Sequence, residues 1–119
     1  MGTYIKFHIM HPFFREPLVA GMEWNFPFLP RVGESINPWV WIEAKDVRMS
    51  NLEDILTEEG KKSLKKEKYR VEDWLYEVGI NDNDYVKSIS YYRNSDENKK
   101  LGEYDFYLNI YLGDPKRRY

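Results

Sequence analysis

The sequence predicts a single α+β domain over residues 1–119. We expect a curved antiparallel sheet or small open barrel of about five strands, with a helical insert at about residues 50–79. Three observations lead to this prediction. Segments of alternating apolar and polar residues lie early and late in the sequence, a block with helical spacing of apolar residues separates them, and 119 residues suit one domain.

The first third of the sequence predicts extended chain. Residues 3–10 place an apolar side chain at every second position, which is typical of a half-buried strand. Pro17 argues against a central strand, so we expect at most a short edge strand over residues 18–20 that turns at Gly21. Residues 26–30 are expected to be extended, because a residue that precedes a proline avoids helical geometry.

The tryptophan-rich segment after Pro38 predicts a further strand, following chain that becomes extended at Ile36. Trp39 and Trp41 would share one face of this strand, with apolar residues on the other. Two interpretations stay open. The indoles form a layer of the core, or they form an exposed platform that stacks on a sugar, a base or a peptide proline.

The middle of the sequence predicts two or three short helices. Ser50 and Glu53 match a capping box, and Thr57 is placed to cap a second helix. The apolar residues of the last helix follow helical spacing: Val71, Trp74, Leu75 and Val78. Gly79 then suits the position just after a helix.

The last third predicts two more strands, over residues 85–93 and 103–112. A polar loop at residues 94–100 would join them as a hairpin. The second strand has the clearest alternation in the sequence, and Tyr107 and Tyr111 fall on its more polar face.

Residues 28–36, with the sequence FLPRVGESI, resemble the start of small bacterial SH3-like barrel domains of unknown function. In those domains a Pro-x-x-Gly-acidic turn opens a strand. Residues 86–91 and the final strand stand where that pattern would place them. The resemblance implies a bacterial protein with a barrel-like sheet. It implies no activity, and it leaves the block at 50–79 as an insertion.

The sequence offers no catalytic or metal-binding pattern, so we predict a protein that is not an enzyme and has no cofactor. It contains no cysteine, which removes disulfides, zinc–thiolate sites and cysteine nucleophiles. Phosphate-binding glycine motifs and nucleophile elbows are also absent. His8 and His11 would point to opposite faces of a strand, a poor arrangement for a metal. No apolar run approaches the ~20 residues of a membrane span, and we expect a cytoplasmic location.

Aromatic residues make up 17% of the sequence, and this favours a soluble interaction domain. We expect it to bind a protein partner, or a second copy of itself, through an aromatic sheet face. The predicted contact residues are Trp39, Trp41, Tyr107 and Tyr111. The alternative is single-stranded nucleic acid on a barrel face, where tyrosines stack on bases and a basic patch contacts phosphates. That patch would consist of Lys61, Lys62, Lys65 and Lys66. The net charge of -2 and the acids around this patch argue against the alternative.

Overall fold

A computed structural model describes residues 3–42, 46–47, 52–66, 70–80, 84–93, 106–114 and 116. The long strands are β1 (Thr3–Ile9), β2 (Leu18–Trp24), β4 (Tyr85–Arg93) and β5 (Phe106–Gly113), and a two-residue strand β3 spans Asp46–Val47. The helices are α1 (Trp39–Ile42), α2 (Leu52–Ile55), α3 (Glu58–Lys65) and α4 (Val71–Ile80).

The strands form one open, mixed sheet in the order β3-β2-β1-β5-β4. This arrangement confirms an α+β protein with an open sheet. The expectation of a wholly antiparallel sheet is wrong at its centre, where β1 and β5 run parallel from Thr3↔Phe106 to Ile9↔Leu112. β5 pairs with β4 as an antiparallel neighbour, and its other edge then packs beside the distant β1. Tertiary packing selects that partner, and no local sequence signal encodes it.

The first strand forms as predicted, but the second is longer and more central. β2 lies between β1 and β3 and continues through Gly21 to Trp24. Pro17 precedes the strand, so its missing N–H removes no hydrogen bond from the ladder. The chain stays extended at Gly21, where the ring of Tyr4 lies directly over the glycine.

The tryptophan-rich segment is a helical turn, which corrects the predicted strand. The amide oxygen of Asn37 accepts a hydrogen bond from the Trp39 backbone N–H at 3.0 Å, which caps the turn. The Pro38 carbonyl accepts bonds from the backbone N–H groups of Trp41 and Ile42 at 3.1 and 2.9 Å. Asn37 and Pro38 thus begin the helical turn together. Asn37 caps it, and a proline at the first helical position removes no intrahelical hydrogen bond. The strand expected from Ile36 is reduced to one isolated bridge beside β4.

The helical block forms much as its capping and spacing predict. The Thr57 hydroxyl accepts a hydrogen bond from the Gly60 backbone N–H at 3.1 Å and begins α3. In α4, the stripe places Trp74, Leu75 and Val78 in the core and leaves Val71 at the surface. α4 continues through Gly79 to Ile80, so Gly79 lies inside the helix and not after it. The Ser50 half of the capping box and the loop at 94–100 lie outside the described residues.

One face of the sheet carries the core. Ile5, Phe7 and Ile110 are fully buried there, and the cluster continues into the helices through Trp41 and Trp74. Polar residues alternate with these positions along β1 and β5 and remain only half-buried or exposed. The described helices therefore pack on one side of the sheet, and none of them covers the other side. None of the described helices is long and apolar enough to cross a membrane.

Candidate interaction surface

One side of the two central strands is covered by no described helix. We call it the open face, and it is aromatic and polar. It is formed by Tyr4, Lys6 and His8 of β1 and by Tyr107, Asn109 and Tyr111 of β5. Parallel pairing places these six residues in three cross-strand pairs: Tyr4 with Tyr107, Lys6 with Asn109, and His8 with Tyr111. Period-two alternation causes this arrangement, because the residues between them point into the core.

Two ring pairs cross the open face. The His8 imidazole stacks on the Tyr111 ring, with centroids 4.6 Å apart and planes 15° from parallel. The Tyr4 and Tyr107 rings lie 6.0 Å apart and are tilted by 56°. Aromatic pairs of this kind stabilise neighbouring strands by roughly 0.2–1 kcal/mol. They also hold the rings in fixed positions, so these rings lose little further side-chain freedom when a partner binds.

A hydrogen bond fixes His8 further. Its Nε2–H donates to Asn109 Oδ1 at 3.0 Å, across the boundary between β1 and β5. With one ring atom bonded and one ring surface stacked, His8 has a defined orientation. Exposed Lys6 lies between the two aromatic pairs and supplies a positive charge at the centre of the open face. The surface therefore offers apolar ring area together with hydrogen-bonding groups.

The open face extends onto β2 because Gly21 allows a close approach. Lys6 is the cross-strand neighbour of Gly21, and the Tyr4 phenol rests over the glycine. A side chain at residue 21 would collide with this ring. The lack of a Cβ thus lets Tyr4 lie across two strands and widens the aromatic surface.

The structure separates the four predicted contact residues into two groups. Tyr107 and Tyr111 lie on the open face as half-buried rings. Trp41 is 1% exposed and belongs to the core, so it offers no surface to a partner, in agreement with the core interpretation. Trp39 is half-buried and stacks on Tyr76 of α4 at 5.2 Å, within the helical side of the molecule. The exposed platform of two indoles on one strand is therefore wrong.

Two residues of the open face, Tyr4 and His8, were not among the predicted contact residues. The signal for them was present in the sequence, because both fall on the polar side of the alternation in residues 3–10. They lie beside Tyr107 and Tyr111 because β1 pairs with β5 in parallel, and no local sequence pattern predicts that pairing.

The predicted basic patch lies on α3, away from the open face. Lys61 pairs with Glu58 at 3.7 Å, and Lys62, Lys65 and Lys66 are exposed. Ser63 of the same helix accepts a hydrogen bond from the Trp74 indole at 2.9 Å, which ties α3 to the helical side. The four lysines of the predicted basic patch therefore lie on a different surface from Tyr107 and Tyr111.

The described residues show little provision for a small ligand or metal. A cleft of about 230 Å³ opens between Met10, His11, Phe14 and the 15–17 turn, below the ~300 Å³ of ordinary small-molecule sites. The His11 Nδ1 at its edge accepts a hydrogen bond from the Phe13 backbone N–H at 2.9 Å. Among the described residues, no three histidine or acidic side chains converge as metal ligands.

No family model, curated protein or solved structure matches the chain.

Proposed function

We propose that the protein is a small binding domain that contacts a protein partner through the open face. The observation that carries this proposal is the set of two ordered ring pairs on a sheet surface that no described helix covers. Buried tyrosine is among the residues that contribute most to protein interfaces, because its ring adds apolar area and its hydroxyl adds a hydrogen bond.

The chemistry of the open face suggests what its partner presents. Lys6 at the centre suits an acidic side chain or a carbonyl oxygen, and the flanking rings suit apolar or proline-containing segments. We expect one extended segment of a partner protein to cross both ring pairs. A second copy of this chain is the other occupant that this surface would accept.

The proposal also includes the number of strands and the origin of the helical block. We take β3 as the fifth strand, since it pairs with β2 at Ala20 and Gly21. We take the block at 50–79 as an insert into a sheet related to the bacterial SH3-like barrels, since α2, α3 and α4 all fall within residues 52–80. The cytoplasmic location and the absence of catalysis complete the proposal.

Selection of peptides tests the open face directly. A random peptide library displayed on phage is selected on the wild-type protein, and the peptides recovered are measured by fluorescence anisotropy. We expect the double variant Tyr107→Thr/Tyr111→Thr to bind them at least tenfold more weakly, a loss of about 1.4 kcal/mol. Threonine keeps the strand preference of tyrosine, so the sheet should remain folded.

Tyr91→Thr is the matched control, because Tyr91 is a 75% exposed tyrosine on the opposite side of the sheet. It should bind the selected peptides as the wild type does. Equal binding by the double variant, or a library that yields no specific peptide, would show that the open face is not the binding surface.

The geometry favours a protein partner over single-stranded nucleic acid. Base stacking with phosphate neutralisation needs several lysines beside the rings. Among the described residues of the open face Lys6 is the one lysine, and the predicted basic patch lies on the helical side of the sheet. A labelled oligonucleotide at low salt separates the two functions. Tight binding that weakens steeply with salt, and that is lost in Lys62→Gln/Lys65→Gln/Lys66→Gln, would favour nucleic acid instead.

A further inference from the structure

A second surface, on the helical side of the sheet, is apolar and exposed. We call it the apolar patch. Its residues have large hydrophobic side chains that are nevertheless exposed to solvent. They are Phe26, Phe28, Leu29, Val32, Tyr91 and Phe106, at 54, 63, 49, 58, 75 and 45% exposure. They do not belong to the open face, and the proposed function does not use them.

The loop that carries four of the six residues of the apolar patch is held in place by Trp24. The Trp24 indole donates a hydrogen bond to the Phe28 carbonyl at 2.6 Å. Its ring makes edge contacts with Phe26 and Phe28, at centroid distances of 4.8 and 6.1 Å. Trp24 itself is 7% exposed and packs against Phe7 of the core. Trp24 therefore holds the two phenylalanines in their exposed positions.

The sheet register places Phe106 and Tyr91 on the same side of the sheet as Trp24, which holds this loop. Trp24 pairs with Thr3, and Thr3 pairs with Phe106, so Trp24 and Phe106 lie two strand spacings apart, about 10 Å. Tyr91 pairs with Leu108, the next residue of β5 on the same side as Phe106. After Phe28 the chain reaches β4, where the Gly33 backbone N–H donates to the Val86 carbonyl at 3.0 Å. The loop thus joins the end of β2 to the outer edge of β4.

The size and charge of the apolar patch indicate its occupant. The four aromatic side chains offer about 200 Å² each and Leu29 and Val32 somewhat less, so the six residues together expose roughly 650 Å². This exceeds the ~300–600 Å² usual for the largest patch on a monomer. Two copies facing each other would bury about 1,300 Å², within the ~1,200–2,000 Å² of stable interfaces. Arg31 is the only charged residue between Trp24 and Val32, so two such loops can approach without repulsion over most of their length.

We infer that the apolar patch is a homodimer interface, formed by a second copy of this chain about a two-fold axis. The same patch on both copies supplies the matching apolar surface, as two-fold interfaces require. The open face lies on the opposite side of the sheet and stays accessible in such a dimer. One dimer would therefore present two partner-binding faces that point outward.

Sedimentation velocity across a range of protein concentrations tests this inference. We expect the wild type to sediment as a species of twice 14.4 kDa and to dissociate on dilution. Phe28→Asp places a charge in the interface and should raise the dissociation constant by at least a hundredfold. Tyr91→Asp places a charge in the part of the patch that the sheet forms, and it should raise the dissociation constant by a similar factor. The test therefore does not depend on the folding of a single variant.

Val71→Asp is the matched control, since Val71 is an exposed apolar residue of α4 outside the patch. It should remain dimeric. A wild type that is monomeric at hundreds of micromolar would overturn the inference, and so would a dimer that survives both patch variants. A dimer lost in Tyr107→Thr/Tyr111→Thr and retained in Phe28→Asp would instead place self-association on the open face.

Discussion

Gly60 lies where α3 meets the segment after β1, and its replacement by alanine sets two effects against each other. In a helix interior alanine is favoured over glycine by about 1 kcal/mol. At this site, however, the added Cβ would lie 2.7 Å from the Phe13 carbonyl oxygen and 3.1 Å from Leu56 Cδ2. The Phe13 carbonyl cannot easily retreat, because it accepts a hydrogen bond from the Thr57 backbone N–H at 2.8 Å.

We expect the steric effect to exceed the helix preference. Overpacking costs about 1–3 kcal/mol, and contact with a fixed backbone carbonyl falls in the upper part of that range, about 2–3 kcal/mol. After the gain of about 1 kcal/mol from the helix preference, Gly60→Ala should lower the free energy of unfolding by about 1–2 kcal/mol net. For a chain of 119 residues this corresponds to a fall in Tm of about 4–8 °C. Urea denaturation followed by tryptophan fluorescence measures the change.

Lys62 provides the control for the helix preference, because it is an exposed position of the same helix. The difference between Lys62→Ala and Lys62→Gly should be about 1 kcal/mol in favour of alanine. If Gly60→Ala is as stable as the wild type or more stable, the close packing of α3 on Phe13 described above is incorrect.

Substitutions at three further positions are measured by the same denaturation. Thr57→Ala removes the cap of α3 and should cost about 1 kcal/mol, whereas Thr57→Ser keeps the hydroxyl and should change little; equal losses would refute the capping role. Gly33→Ala should cost about 1–2 kcal/mol, because residue 33 has φ of 97°, and Gly33→Asn should cost less; the reverse order would contradict this reason. Ile110→Ala opens a cavity at a fully buried position and should cost about 2–5 kcal/mol, so a loss below 1 kcal/mol would indicate a looser core.

Sequence patterns predicted the helices and strands that depend on residues close together in the sequence. The alternation in β1 and β5, the Thr57 cap and the stripe of α4 all rest on contacts within a few residues, and each appears in the structure. The segment at 39–42 was misjudged because period two over four residues cannot separate a strand from one helical turn. Asn37 followed by Pro38 was the stronger signal, since it supplies both a cap and a helix start.

Only part of the open face could be predicted, because its formation requires both local alternation and the pairing of distant strands. Alternation alone identifies the polar sides of β1 and β5, including Tyr107 and Tyr111. It does not identify which strands lie next to each other. The pairing of β1 with β5 brings His8 onto Tyr111, and that choice is made by packing of the whole core.

The parallel pairing of β1 with β5 also determines when the sheet can be completed during synthesis. Its paired residues, such as Ile5 and Leu108, are separated by roughly a hundred positions, so they meet only after β5 has left the ribosome. Until then a nascent chain can form the β1–β2 hairpin, but one side of β1 lacks its permanent neighbour. Such an edge can pair with other extended chains, so aggregation is favoured during this interval.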